Sequence, residues 1–184
     1  EYMNKYEVLK QYFGYDAFRD GQEKMIDAIT SGRDVLGIMP PGAGKSLCYQ
    51  IPALMAGENG GITLVISPLI SLMKDQVSAL NQAGVHAAYL NSSLTSGQYY
   101  KALGYAREGR YPIIYVAPER LLTPEFLDFA VHAKIAMVAV DEAHCVSQWG
   151  QDFRPGYLKI EEFLCTLPKR PVVSAFTATA TAEV

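Results

Sequence analysis

Asp34-Val35-Leu36-Gly37-Ile38-Met39-Pro40-Pro41-Gly42-Ala43-Gly44-Lys45-Ser46 passes from a short apolar run into a loop of prolines and glycines, and from Leu47 into residues spaced as a helix. Strand, glycine loop and helix in that order suit a phosphate. Glycines let the backbone fold its N–H groups around phosphate oxygens, and the following helix presents its positive end to them. Lys45 can reach the terminal phosphates, and the Ser46 hydroxyl can ligate magnesium. The strict pattern GxxxxGK[ST] fails at its first position, where Met39 stands in place of glycine. The strand-then-helix setting therefore carries the reading, which a chance Gly-Lys-Ser turn would not need.

Working outward, apolar runs rich in β-branched residues recur at 34–39, 62–67, 87–90, 113–116, 135–140 and 171–176, and they read as buried strands. Between them, 46–56, 69–83 and 95–107 have helical spacing, the last starting on Thr95 as an N-cap. Two further amphipathic helices, 5–13 and 21–30, precede the first strand. Alternating strands and helices predict an α/β fold built from right-handed βαβ units, a parallel β-sheet flanked by helices on both faces. No repeat, low-complexity run or linker interrupts the pattern, so residues 1–184 read as one domain.

In such sheets ligands bind beyond the carboxyl ends of the strands. The run Ile135-Ala136-Met137-Val138-Ala139-Val140 ends abruptly in Asp141-Glu142. Alone, that pair reads as a solvated strand end. Joined to the phosphate loop, Asp141 becomes a holder of magnesium and Glu142 the base that orients a water against a γ-phosphate.

Composition excludes more than it identifies. A net charge of -3 and a pI of about 5.6 give no basic footprint of the kind nucleic-acid binders show. Cys48, Cys145 and Cys165 are widely spaced, which argues against a disulfide framework or a zinc cluster and for inert thiols. No apolar run approaches the length of a membrane span, so a membrane partner is not expected and a cytoplasmic, nucleoid-associated protein is.

With these residues in hand, the chain from Tyr6 to Thr181 resembles the RecQ family of superfamily 2 DNA helicases. Phe13-Gly14-Tyr15-Asp16-Ala17-Phe18-Arg19-Asp20-Gly21-Gln22 looks like that family's adenine-recognition motif, and Met39 is usual in its phosphate loop. Ser67-Pro68-Leu69-Ile70-Ser71-Leu72-Met73-Lys74-Asp75-Gln76-Val77 is similar to a motif that lies along the DNA strand in related helicases. Asp141-Glu142-Ala143-His144-Cys145-Val146-Ser147-Gln148-Trp149-Gly150-Gln151-Asp152-Phe153-Arg154-Pro155-Gly156-Tyr157 resembles the DEAH box and the aromatic-rich loop that couples DNA contact to hydrolysis. Ser174-Ala175-Phe176-Thr177-Ala178-Thr179 resembles the motif linking the two sites. Pro41 and Ala43 depart from the threonine and glycine common there, and proline removes one N–H from the phosphate cradle.

The resemblance implies a RecA-like P-loop NTPase domain, the first of two in an ATP-dependent 3′-to-5′ DNA helicase serving recombination and repair. Tyr15, Arg19 and Gln22 would hold adenine, and Pro41, Gly42, Ala43, Gly44, Lys45 and Ser46 the phosphates. Lys45, Asp141 and Glu142 would carry the chemistry, with Mg²⁺ on Ser46 and Asp141. His144, Gln148, Trp149, Phe153, Arg154, Thr177 and Thr179 would contact or couple to single-stranded or junction DNA. The stretch around Trp149 is full of Gly, Gln, Ser and Pro and reads as loop. A superfamily 2 RNA helicase, or a nucleotide-dependent binding module without a motor, shares the phosphate loop; the aromatic loop argues against the first and Glu142 against the second. The chain stops at Val184, before any second motor domain, so by itself it is expected to bind ATP weakly and to neither hydrolyse it efficiently nor unwind DNA.

Overall fold

Ile135–Val140, the longest unbroken apolar run, forms the strand β5 near the middle of a sheet in which every pairing is parallel. The computed structural model describes residues 1–40, 44–143 and 154–178, with side chains in the last stretch from 158 onward. Six strands lie among them: β1 (Val35–Ile38), β2 (Ile62–Ile66), β3 (Ala87–Leu90), β4 (Ile113–Val116), β5 and β6 (Val172–Thr177), in the order β1-β6-β5-β2-β4-β3. The expected strands at 87–90, 113–116 and 135–140 keep their bounds, and the other three move by a residue.

Side chains alternate across the sheet. On β2 and β4, Val65, Ile113 and Tyr115 pack to one face, while Leu64, Ile66, Ile114 and Val116 pack to the other. The first face is covered by α1 (Lys5–Val8, running on as a π-helix over Leu9–Phe13), α2 (Gln22–Thr30), α3 (Leu47–Gly57) and α4 (Ile70–Gln82). The second is covered by α5 (Ser96–Arg107), α6 (Pro124–His132) and α7 (Arg154–Thr166). No helix among the described residues is long and apolar enough to cross a membrane.

Local chemistry sets several boundaries. Thr95 caps α5 in a reciprocal box: its Oγ1 accepts from Gln98 N at 3.2 Å, and Gln98 Oε1 accepts from Thr95 N at 2.9 Å. The opening helix widens into a π-turn and stops at Gly14, whose φ of 77° suits a residue without Cβ. At the other edge of the sequence, Asp34 accepts from Arg170 Nη2 at 2.7 Å and from Val173 N at 2.9 Å, pinning the start of β1 to the start of β6. The Arg170 guanidinium, aided by that N–H, holds the Asp34 carboxyl below its ordinary range.

Two elements depart from the expectation. Residues 124–132, unassigned by periodicity, form α6, with Thr123 before it and Pro124 at its first position, where a missing N–H costs nothing. The stretch read as loop through Tyr157 becomes helical at Arg154, so Arg154 and Tyr157 belong to the first turn of α7 rather than to a loop. Pro155 falls in that first turn too, where proline is tolerated, so its presence does not prevent the helix from starting at Arg154.

α6 and α7 are joined to each other by aromatic packing. Phe126 is fully buried, with its ring centroid 5.8 Å from Phe129 and 5.7 Å from Phe163. Phe126→Ala is expected to lower the unfolding free energy by about 3–5 kcal/mol, the usual cost of truncating a buried aromatic. A urea titration showing a loss below about 1 kcal/mol would mean that this face is not closed as described.

Candidate functional site

Parallel register brings the carboxyl ends of the strands to one edge. Ile66 stands level with Val116 and with Val140, and Ile38 with Thr177. Lys45, in the turn that follows β1 and leads into α3, therefore meets Asp141 and Glu142, which follow β5. The two strands are not neighbours: β6 lies between them, and its terminal Thr177 sits in the gap. Met39 N donates to Thr177 O at 3.1 Å, carrying the β1–β6 ladder one step into the loop.

The Lys45 ammonium is 2.5 Å from Glu142 Oε1 and 3.1 Å from Asp141 Oδ1. Burial pulls the lysine's pKa down, but the Glu142 hydrogen bond and the Asp141 charge outweigh it, and the net shift is upward. Lys45 is held as a cation. Asp141 is only 1% exposed, and its carboxylate oxygens face donors: Lys45 and Glu142 N (2.8 Å) on Oδ1, the Tyr49 hydroxyl (3.0 Å) on Oδ2. Glu142 has a φ of 52°, the one positive value among described residues other than glycine. Such a backbone costs on the order of 1 kcal/mol, and it occurs here directly between the two acidic side chains and the residues that follow.

A second part of the site lies on the α2 side. Gln22 is 1% exposed; its Oε1 accepts from Arg19 N at 2.8 Å and its Nε2 donates to Gly44 O at 2.8 Å. One glutamine amide thus ties the segment before α2 to the phosphate loop. Beside it opens a cleft of about 240 Å³ lined by Phe13, Tyr15, Arg19, Gln22, Ser46 and Gln50 among others. Tyr15 and Arg19, both exposed, stand at its rim.

The structure brings together Lys45, Ser46, Asp141, Glu142, Gly44 and Gln22, with Thr177 near them. Pro41, Gly42, Ala43, His144, Gln148, Trp149, Phe153 and Thr179 lie outside the described residues, as does the side chain of Arg154. Of the other cysteines and histidines, Cys48 is buried and its thiol is pushed up to about 12 by desolvation, which makes it inert, whereas Cys165 is exposed.

Sequence reasoning missed four residues that complete the site's interior: Tyr49, Gln50, Gln76 and Tyr115. The Ser46 hydroxyl accepts from Gln76 Nε2 at 3.1 Å, and Gln76 Oε1 lies 2.9 Å from the Tyr49 hydroxyl. Tyr115 OH is 3.4 Å from Tyr49 OH and accepts from Gln50 Nε2 at 3.0 Å. A signal was present, since Gln76 falls on the same helical stripe as the buried Met73, Val77 and Leu80, where a polar residue needs a partner.

Comparison with known proteins agrees with this geometry. Residues 19–184 match the sequence profile of the DEAD/DEAH box helicase family. The ATP-dependent DNA helicase RecQ of Bacillus subtilis (strain 168) is 52% identical over 96% of this chain, and the chain spans 30% of that protein. The protein of the same name from Haemophilus influenzae is 49% identical over 94% of the chain, which covers 27% of it. Among solved structures, a hypothetical ATP-dependent RNA helicase from Sulfolobus tokodaii superposes with a TM-score of 0.73 over 98% of this chain and 52% of its own, at 24% identity, a likeness of fold alone.

Among the described glycines, Gly44 is the one where an added Cβ would come closest to another atom. Its φ is +75°, and a Cβ there would fall 2.3 Å from Gln22 Nε2. Gly44→Ala is expected to displace the Gln22 amide and cost about 1–3 kcal/mol of stability in a denaturant titration; an unchanged midpoint would show that this contact does not hold the loop.

Proposed function

The chain belongs to the DEAD/DEAH box helicase family, and from that premise we propose that residues 1–184 are the first RecA-like domain, the ATP-binding half, of an ATP-dependent DNA helicase of RecQ type. One observation carries the reading: the ammonium of the phosphate-loop lysine lies between two strand-end carboxylates, with Ser46 and the Gln22 cleft beside it. The 49–52% identity to proteins named RecQ supports the DNA-helicase class.

In this reading the adenine of ATP enters the cleft at Gln22, with Tyr15 and Arg19 against its faces. Its phosphates take the loop of Pro41, Gly42, Ala43 and Gly44, and Lys45 exchanges Asp141 and Glu142 for the β and γ phosphates. The lysine stays compensated throughout, because it trades one pair of anions for another. Ser46 and Asp141 are the residues to hold Mg²⁺. Their oxygen donors suit a hard cation, the acidic pair already compensates one positive charge, and no group of three or more His, Cys, Asp or Glu gathers among the described residues. That is the pattern of a magnesium completed by phosphates and water rather than caged by protein. Bound there, magnesium would neutralise charge on the phosphates. Glu142 then orients the attacking water and accepts its proton.

DNA enters through the segment from His144 to Arg154. Unpaired bases stack on Trp149 and Phe153, each contact contributing about 1–3 kcal/mol without regard to sequence. His144, Gln148, Arg154, Thr177 and Thr179 relay that contact to the hydrolysis site, and Thr177 is well situated for it, at the end of the strand between β1 and β5. Translocation 3′ to 5′, work on junction DNA in recombination and repair, and a cytoplasmic, nucleoid-associated setting follow from the RecQ resemblance. A second RecA-like domain of the parent chain supplies the arginines that stabilise the transition state.

Glu142→Gln in the parent helicase is expected to leave nucleotide binding in place while ATP turnover falls by at least about 10²-fold and unwinding stops; normal unwinding by that variant would overturn the mechanism. The 184-residue chain alone is expected to hydrolyse ATP at least about 10³-fold more slowly than the parent, since it lacks the arginines in trans. DNA-stimulated turnover by the chain alone at the parent's rate would overturn the division of labour between domains.

A further inference from the structure

The polar cluster beneath the site is not accounted for by the roles above. Tyr49 and Tyr115 are both fully buried within a largely apolar layer, and burying two hydroxyls there is unfavourable unless each is bonded. Gln50 Nε2 donates to Tyr115 O at 3.0 Å, and the Tyr115 and Tyr49 hydroxyls lie 3.4 Å apart, where either can donate to the other. Tyr49 has one proton and two stronger acceptors in front of it, Gln76 Oε1 at 2.9 Å and Asp141 Oδ2 at 3.0 Å. Gln76, through its other amide atom, donates to Ser46 Oγ at 3.1 Å. A path of close polar contacts thus runs from the Ser46 hydroxyl to the Asp141 carboxylate, the two groups assigned to magnesium, by way of Gln76 on α4 and Tyr49, whose one proton is shared between Gln76 and Asp141.

We infer that Gln76 and Tyr49 are positioning residues for the divalent cation, acting as a bridge that holds Ser46 Oγ and Asp141 at a common distance and aims their lone pairs into the same space. The inference rests on the magnesium assignment made under the proposed function. Gln76 fixes the rotation of the Ser46 hydroxyl by occupying one of its two lone-pair directions, so the other stays directed. Tyr49 fixes Asp141 by binding Oδ2, leaving Oδ1 on the side of Lys45. Because the Tyr49 proton serves one acceptor at a time, a pull on Asp141 is felt at Gln76 and so at α4. Groups that orient metal ligands typically contribute 10- to 100-fold in metal affinity, without touching the metal.

The test measures binding of a fluorescent ADP analogue to the 184-residue chain in excess magnesium and again in EDTA. Wild type is expected to bind more tightly in magnesium. Gln76→Leu removes both of that residue's bonds, and Tyr49→Phe removes one hydroxyl with the ring's packing kept. Each is expected to weaken binding in magnesium by about tenfold while leaving binding in EDTA within about twofold of wild type. The double variant is expected to lose no more than the worse single one, since both cut the same path. If wild type binds equally well with and without magnesium, the metal assignment itself falls. If wild type gains from magnesium and both variants gain as much, the bridge is refuted and the assignment stands. Equal weakening of both variants in magnesium and EDTA would assign Gln76 and Tyr49 to general packing and likewise refute it. Tyr49→Phe keeps the test decisive should Gln76→Leu unfold, a thermal melt without nucleotide identifying that case.

Discussion

A carboxylate with 1% exposure cannot remain charged without partners, and the structure around Asp141 is organised by that requirement. Its counter-charge is Lys45, which comes from the far side of β6. The pairing goes with three features of the sheet: β1 and β5 are parallel, their carboxyl ends lie at one edge, and one strand separates them. The insertion of β6, last in sequence, between β1 and β5 provides all three. It also sets Thr177 between the two halves of the site, so a change at the end of β6 is adjacent to both.

The same economy holds in the interior. A parallel sheet buried on both faces would be expected to be wholly apolar, and most of it is. Tyr49, Gln50, Gln76 and Tyr115 break that pattern where α3 and α4 pass beneath the strand ends. Their hydroxyls and amides satisfy one another in series and end on Asp141 and Ser46, so polar groups that would weaken a core here determine the orientation of the groups above it. The strained backbone of Glu142 belongs with them. A positive φ on a residue with a side chain is maintained by its surroundings, and here the surroundings are the Asp141 carboxylate accepting from Glu142 N and Lys45 bonded to Glu142 Oε1.

Much of the fold was legible in the order of residues. Strands β3, β4 and β5 are uninterrupted runs of apolar or aromatic residues, with Ile and Val frequent in β4 and β5, and nothing local competes with the extended state there. Thr95 announced its helix because an N-cap bond is local. The failures were two: residues 124–132 were left unassigned although they form α6, and Pro155, in a stretch read as loop from its composition, sits in the first turn of α7, where proline lacks only an N–H that the helix would not have used. Of the site, Lys45, Ser46, Asp141 and Glu142 were legible, because glycine, lysine and acid at strand ends have few other uses. Tyr49 and Tyr115 were not, since each looks like an ordinary member of a buried helix or strand until its partner is known, while Gln76 offered only the hint of a polar residue on a buried helical stripe.

By itself, then, the sequence determined the class of the fold, the strand count and the presence of a phosphate loop and an acidic strand end, because these follow from periodicity and from residues adjacent in the chain. Only the tertiary structure decided that β6 enters between β1 and β5, that the Lys45 ammonium lies between Asp141 and Glu142, and that the Tyr49 hydroxyl and the Gln76 amide connect Asp141 to Ser46. Those depend on contacts between residues far apart in sequence, and the free energy that selects them is the pairing of buried charge and the satisfaction of buried polar atoms, which no short window of residues contains.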